Sequence, residues 1–210
     1  MAHTNRDVAK FLGDQKIRTD DLGQFLFRNV PAGEPYVIYG LMESCRAHGA
    51  IGTRPVNTGP EGSSKDVGTL IVEPGFRLTG RVVLSDGKPL PAGIRASLSR
   101  RQAWDVQIAD VTADGRFTFT GLPAEGYTLS AAVPGYHLSA KNASYEALNG
   151  SFLEGRVDQN VEGLRLLLEP GKFARPDFGR FTPEDFQAMQ RRRNELLQGA
   201  PASADSDKPR

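Results

Sequence analysis

The chain has 210 residues, enough for one large domain or two small ones with separate cores. Its 23 Gly and 14 Pro, with 39% hydrophobic residues, point to short elements joined by tight turns and away from a helical bundle. Lys and Arg number 26 against 25 Asp and Glu, so the overall field gives no electrostatic case for nucleic acid or an acidic membrane as a partner.

From the N-terminus, Met1 to Gln15 is polar and lacks the apolar stretch of a secretory signal, and no run approaches the ~20 apolar residues that span a bilayer. Residues 1–14 are therefore expected to be disordered or to form an arm, and no membrane insertion is expected. The segment from Thr19 to Tyr36 then places Gly23, Phe25, Phe27, Val30, Pro31, Ala32 and Tyr36 in an order that recurs as Gly115, Phe117, Phe119, Leu122, Pro123, Ala124 and Tyr127. Each copy reads as half of a β-hairpin: a glycine turn, then two aromatics at i and i+2 that share one sheet face. Leu70-Ile71-Val72-Glu73-Pro74-Gly75 likewise matches Leu166-Leu167-Leu168-Glu169-Pro170-Gly171, an apolar strand before a Pro-Gly turn. A unit boundary is expected near Gly75.

The second unit predicts strands over Phe76–Leu84, near Ile94–Ser99 and near Val106–Val111, with a hairpin-type turn at Ser85-Asp86-Gly87-Lys88. Tyr127, Leu129, Ala131 and Val133 alternate with Thr128, Ser130 and Ala132, as in a half-buried antiparallel strand. Leu164, Leu166 and Leu168 mark another inward face. In the first unit two opening strands have no counterpart before Gln15, so it is expected to expose an edge and part of its apolar face. Thr182-Pro183-Glu184-Asp185 then reads as a helix start, with Phe186, Met189, Leu196 and Leu197 as its apolar stripe. The fold class predicted is all-β: tandem Ig-like or prealbumin-like β-sandwiches, the first incomplete, with a short C-terminal helix and a disordered tail. The segments are 15–75 (partial sandwich), 76–171 (complete sandwich), 172–198 (linker and amphipathic helix) and 199–210 (tail).

The stretch Phe76-Arg77-Leu78-Thr79-Gly80-Arg81-Val82-Val83, followed by Ala113 to Phe119 and by Leu122 to Leu129, resembles the bacterial carboxypeptidase regulatory-like domain. The resemblance covers roughly Phe76 to Gly171, extends partially over Lys16 to Gly75, and stops before Lys172. It implies a transthyretin-like or prealbumin-like sandwich related to collagen-adhesin B-type repeats, and an accessory role in secreted or membrane-anchored bacterial proteins. An extracytoplasmic site follows from the resemblance, although this chain carries no signal peptide. The positions that carry over, Gly115, Phe117, Phe119, Leu122, Pro123 and Tyr127, build architecture and no catalyst. Some related adhesin repeats crosslink a first-strand lysine to an asparagine; here Arg77 and Arg81 are the basic residues of that strand, so the nucleophile is missing.

Candidate chemistry is sparse, and no cofactor or metal is expected. Cys45 is the only cysteine, which excludes an intrachain disulfide and a thiolate cluster. Cys45 and His48 stand as Cys-x-x-His without a third member of a metal site or nucleophilic set. Tyr136-His137 has a passing likeness to the iron ligands of intradiol dioxygenases, but a second histidine in the expected order is lacking. Arg191-Arg192-Arg193 reads as a solvated helix face. Asn142 and Asn149 fit the N-glycosylation pattern, which matters only in a eukaryotic secretory setting.

Trp104, with Arg101 and Asp105 beside it, is the candidate ligand-binding set, since an indole stacks on a sugar face while polar neighbours bond its hydroxyls. The function expected is a non-enzymatic accessory or interaction module, a piece of a larger envelope or secreted protein. Its partners would be protein or neighbouring domains of the parent chain. The alternative is a carbohydrate- or peptide-binding module using the sandwich-end loops near Trp104.

Overall fold

The computed structural model describes residues 2–3, 14–139, 141–142, 146–148 and 152–171. The chain divides into two units, residues 1–173 and 174–210, and only the first contains described residues. The helix expected over 182–198 and the tail beyond it lie outside them, as do Arg191-Arg192-Arg193 and Asn149.

The strands are β1 (Ala2–His3), β2 (Pro35–Ile38), β3 (Arg54–Asn57), β4 (Phe76–Leu84), β5 (Arg95–Arg100), β6 (Val106–Asp110), β7 (Arg116–Leu122), β8 (Glu125–Ala131), β9 (Tyr136–Leu138), β10 (Glu146–Leu148), β11 (Phe152–Val157) and β12 (Val161–Pro170), with a one-turn helix α1 (Met42–Cys45) between β2 and β3. Two sheets, ordered β10-β11-β8-β5-β6 and β7-β4-β12-β9, form an all-β, Ig-like sandwich. Every pairing is antiparallel except β4 with β12, which run parallel with Leu78 beside Val161 and Leu84 beside Leu168.

Alternation along each strand explains the layering. Leu78, Val82 and Leu84 of β4, Phe117 and Phe119 of β7, and Leu164, Leu166 and Leu168 of β12 face inward from one sheet. Ala96 and Leu98 of β5, Tyr127 and Leu129 of β8, and Leu153 and Val157 of β11 meet them from the other. Gly80 is required where it stands: a Cβ there would collide with the Phe117 ring and the Leu164 carbonyl. The glycine thus lets β7 lay an aromatic directly across β4.

Two turns differ from expectation. Ser85 to Lys88 was expected to be of hairpin type and Pro123-Ala124 to lead from a hairpin half into the next strand, but β4 and β5 lie in different sheets, as do β7 and β8. Each turn therefore carries the chain from one layer to the other. At the second, the Tyr127 hydroxyl donates to the Pro123 carbonyl at 2.8 Å from a buried position, fixing the corner.

Before Gly75 the described residues form one small sheet, β1-β2-β3, with Val37, Tyr39 and Ala103 as a second, minor core. Phe25 and Phe27 alternate with exposed neighbours and their rings meet edge to face at 5.9 Å. Among the described residues no strand pairs with this segment, so the expected hairpin half is a ribbon without a ladder. Leu70 to Val72 behaves similarly: its sheet contact is the bridge of Glu73 to Ala50, and Ile71 is 69% exposed. Its later counterpart, Leu166 to Leu168, is flanked by β4 and β9 and buried. The same apolar triplet is a strand where neighbours exist and an open ribbon where they do not.

Candidate functional site

The sequence-predicted trio separates. Trp104 is 52% exposed on the loop joining β5 to β6. Arg101 begins the same loop, its guanidinium reaching Glu154 of β11 at 3.5 Å. Asp105 turns inward and is 6% exposed, its Oδ2 accepting the Met42 N–H at 2.8 Å and lying 3.4 Å from Arg100. Only Trp104 and Arg101 reach solvent.

The residue that organises this end is Arg100, the last of β5, which is 0% exposed. It continues the inward row of Ala96 and Leu98, so strand alternation drives a guanidinium into the interior. Its Nε donates to Glu125 Oε2 at 2.8 Å and its Nη2 to Glu125 Oε1 at 2.7 Å, a bidentate pair. Nη1 donates to the Gly40 carbonyl at 2.8 Å and Nη2 also to the Ile51 carbonyl at 3.2 Å, while the Tyr39 ring lies 5.1 Å from the guanidinium carbon. Glu125 also accepts the Thr53 N–H. Burial opposes the charge on Arg100, but the Glu125 hydrogen bonds and charge outweigh it and hold the guanidinium protonated beyond its ordinary range. Loss of solvent pushes the Tyr39 hydroxyl up to about 12, tempered by a hydrogen bond from the Trp104 backbone. The cluster fastens residues 39–53 to the end of the sandwich, and its chemistry is structural.

The other candidates are pinned as well. Burial pushes the Cys45 thiol up, so it is a poor nucleophile, and His48 is exposed. The Tyr136 hydroxyl donates to Asp86 at 2.8 Å, next to the Lys88 ammonium at 3.0 Å from that carboxylate. Asn142 is buried: its amide nitrogen donates to the Ser139 and Leu167 carbonyls and its oxygen accepts the Leu167 N–H, leaving the nitrogen unsuited to accept a glycan. Among the described residues no group of three or more His, Cys, Asp or Glu is placed to hold a metal, and no helix is long and apolar enough to cross a membrane.

A concavity lies in the N-terminal part. A groove of about 730 Å³ opens between the Phe25–Phe27 ribbon and the β2–β3 sheet. Phe25, Phe27, Tyr36, Ile38, Val56 and Val67 line it together with polar residues such as Thr58, Ser63 and Lys65. The Tyr36 hydroxyl donates to the Pro31 carbonyl at 3.5 Å, as the Tyr127 hydroxyl does to Pro123 at 2.8 Å.

Residues 74–154 match the family model described as "BOS complex subunit NOMO1-like, second beta sandwich domain". That is a carboxypeptidase-regulatory-like, Ig-like sandwich, in keeping with the resemblance read from Phe76 onward. No curated protein sequence matches the chain. Among solved structures, a pilus 2b backbone protein of group B streptococcus is similar at 16% identity and a TM-score of 0.31, over 70% of this chain and 52% of its own. The TIE protein of Bacillus anthracis is similar at 15% identity and a TM-score of 0.32, over 81% of this chain and 30% of its own. The chain thus spans about half of the first and under a third of the second.

Proposed function

We propose that this chain is a non-enzymatic interaction module of a larger extracytoplasmic bacterial protein, docking a protein partner or a neighbouring domain in the groove beside Phe27. The carrying observation is the groove itself: Phe25, Phe27 and Val56 line it half-buried, beside the buried Tyr36, with polar residues such as Thr58, Ser63 and Lys65 sharing the lining. An extended apolar segment is the occupant such a surface suits, because it supplies the absent layer. In this reading residues 15–75 and 76–171 are a partial and a complete copy of one unit. The paired Tyr36–Pro31 and Tyr127–Pro123 contacts support that division. The buried Arg100 cluster supports a spacing role, since it makes the first part rigid with the second.

The test is panning of a random peptide library against the folded protein. Peptides with apolar residues at alternate positions are expected to be captured, and Phe27→Asp with Val56→Asp is expected to abolish capture while the sandwich still melts cooperatively. Capture that ignores both substitutions, or none at all, overturns the proposal.

A second reading, a glycan module, draws on the exposed Trp104 indole beside Arg101. Tryptophan fluorescence during a glycan screen reports it directly, because Trp104 is the single tryptophan. A flat response across the screen removes it.

A further inference from the structure

β6 is the outermost strand of its sheet. The Asp105 carbonyl accepts the Arg100 N–H at 3.0 Å and the Val111 N–H donates to the Ile94 carbonyl at 3.0 Å, so the odd-numbered residues from 105 to 111 turn their main chain toward β5. Bonded residues alternate in an antiparallel ladder, which leaves the N–H and C=O of Val106, Ile108 and Asp110 facing the open edge. On the outer surface the side chains of Val106 and Ile108 are 47% and 57% exposed. Charges or prolines guard such positions on most edge strands; here stand two β-branched apolar residues that favour pairing.

The strand is complementary to itself. Two copies laid antiparallel about a two-fold axis at Gln107 set Val106 opposite the partner's Ile108, and Ile108 opposite the partner's Val106. Centring the axis on Ile108 instead sets Val106 against the partner's Asp110, an apolar group against a carboxylate. The hydrophobic pattern therefore selects the first register.

A separate observation beneath the edge selects the same register. Gln107 is buried; its Nε2 donates to the Thr120 carbonyl of β7 at 3.1 Å, while its Oε1 is buried with no hydrogen-bond partner. Buried amide oxygens are rarely left so. With the axis at Gln107, the two glutamines form the closely spaced kind of cross-strand pair, with Cβ atoms about 4.5–5.5 Å apart. The second amide proton of each then comes within reach of the unused oxygen of the other.

We propose that β6 pairs with β6 of a second copy of this chain, carrying the five-stranded sheet across a two-fold axis into one continuous sheet. The test is sedimentation equilibrium of the full chain up to about 1 mM, joined to hydrogen exchange at each concentration. A concentration-dependent dimer is expected, with the Val106 and Ile108 amides slowing as it forms. Ile108→Lys, at an exposed position, sets two ammonium groups close to the axis and is expected to weaken association by at least about tenfold with melting unchanged. Ile108→Pro removes an N–H that no described residue accepts and is expected to abolish it. A chain that stays monomeric throughout overturns the proposal. So does a dimer whose Val106 and Ile108 amides exchange at the monomer rate, which would put the contact elsewhere, the groove beside Phe27 included.

Discussion

The carboxylate of Glu125 grips the guanidinium of Arg100 with both oxygens, 2.8 Å from Nε and 2.7 Å from Nη2, at a point where solvent reaches Arg100 not at all. Glu125 follows the Pro123-Ala124 corner, and Arg100 ends the strand that β8 pairs with, so the pair spans two adjacent strands. Arg100 also donates to Asp105 and to the carbonyls of Gly40 and Ile51, the latter two outside the sandwich. One cation therefore ties the corner, the strand and the preceding segment together.

Removing one member of this pair leaves a buried, uncompensated charge. Arg100→Ala is expected to destabilise the chain by about 3–5 kcal/mol, measured by denaturant unfolding. It is also expected to make residues 39–53 the first site of limited proteolysis, because Gly40 and Ile51 lose the donor that holds them. An unaltered cleavage pattern would assign the attachment to the Val37–Tyr39 core instead.

Alkaline pH should loosen the same region. Desolvation raises the Tyr39 hydroxyl to about 12 and the Tyr127 hydroxyl higher still, so the unfolded chain gives up these protons first. The stability held by the neutral hydroxyls is fully present below about pH 10, the ordinary tyrosine value, and falls as pH rises through 10 to 12. Each group contributes a slope of about 1.4 kcal/mol per pH unit within that window. Denaturant titrations between pH 9 and pH 11.5 check the sign, and Tyr39→Phe should flatten the curve.

Core and ribbon aromatics should respond unequally to truncation. Phe119→Ala empties a fully buried site and is expected to cost about 3–5 kcal/mol. Phe27→Ala, at a half-buried position lining an open groove, is expected to cost about 1 kcal/mol. Equal losses would mean that the groove is closed in solution.

Two glycines separate close packing from backbone freedom. Gly80→Ala drives a methyl into the Phe117 ring and the Leu164 carbonyl and is expected to cost about 3 kcal/mol. Gly87→Ala has open space but a φ of 73°, so about 1–2 kcal/mol is expected from the left-handed backbone alone. Thermal unfolding of the two variants in parallel distinguishes the causes.

Much of the sandwich was legible because its signals are local. Phe76–Leu84 is a strand over the predicted residues, and the other two predicted strands shift by about one residue at their ends. The inward aromatics Phe117 and Phe119 follow from a period of two. Which sheet each strand joins was not legible, since a turn such as Ser85 to Lys88 has the same composition whether it reverses the chain within a layer or crosses between layers. The burial of Arg100 was not legible, because in sequence it is one of the polar residues leading up to Trp104. The available signal was its place two residues after Leu98 and four after Ala96, on the buried face. Nothing local could indicate that the carbonyls of Gly40 and Ile51 would receive it.

The parallel pairing of β4 and β12 has a mechanical meaning. The strand that opens the sandwich and the strand that closes it lie side by side and point the same way, so the chain enters at one pole and leaves at the other, about 30 Å away at the rise of a nine-residue strand. Tension applied to the two ends would load the Leu78-to-Leu84 ladder in shear, straining its hydrogen bonds together rather than unzipping them singly. Resistance to stretching is therefore concentrated in that one seam.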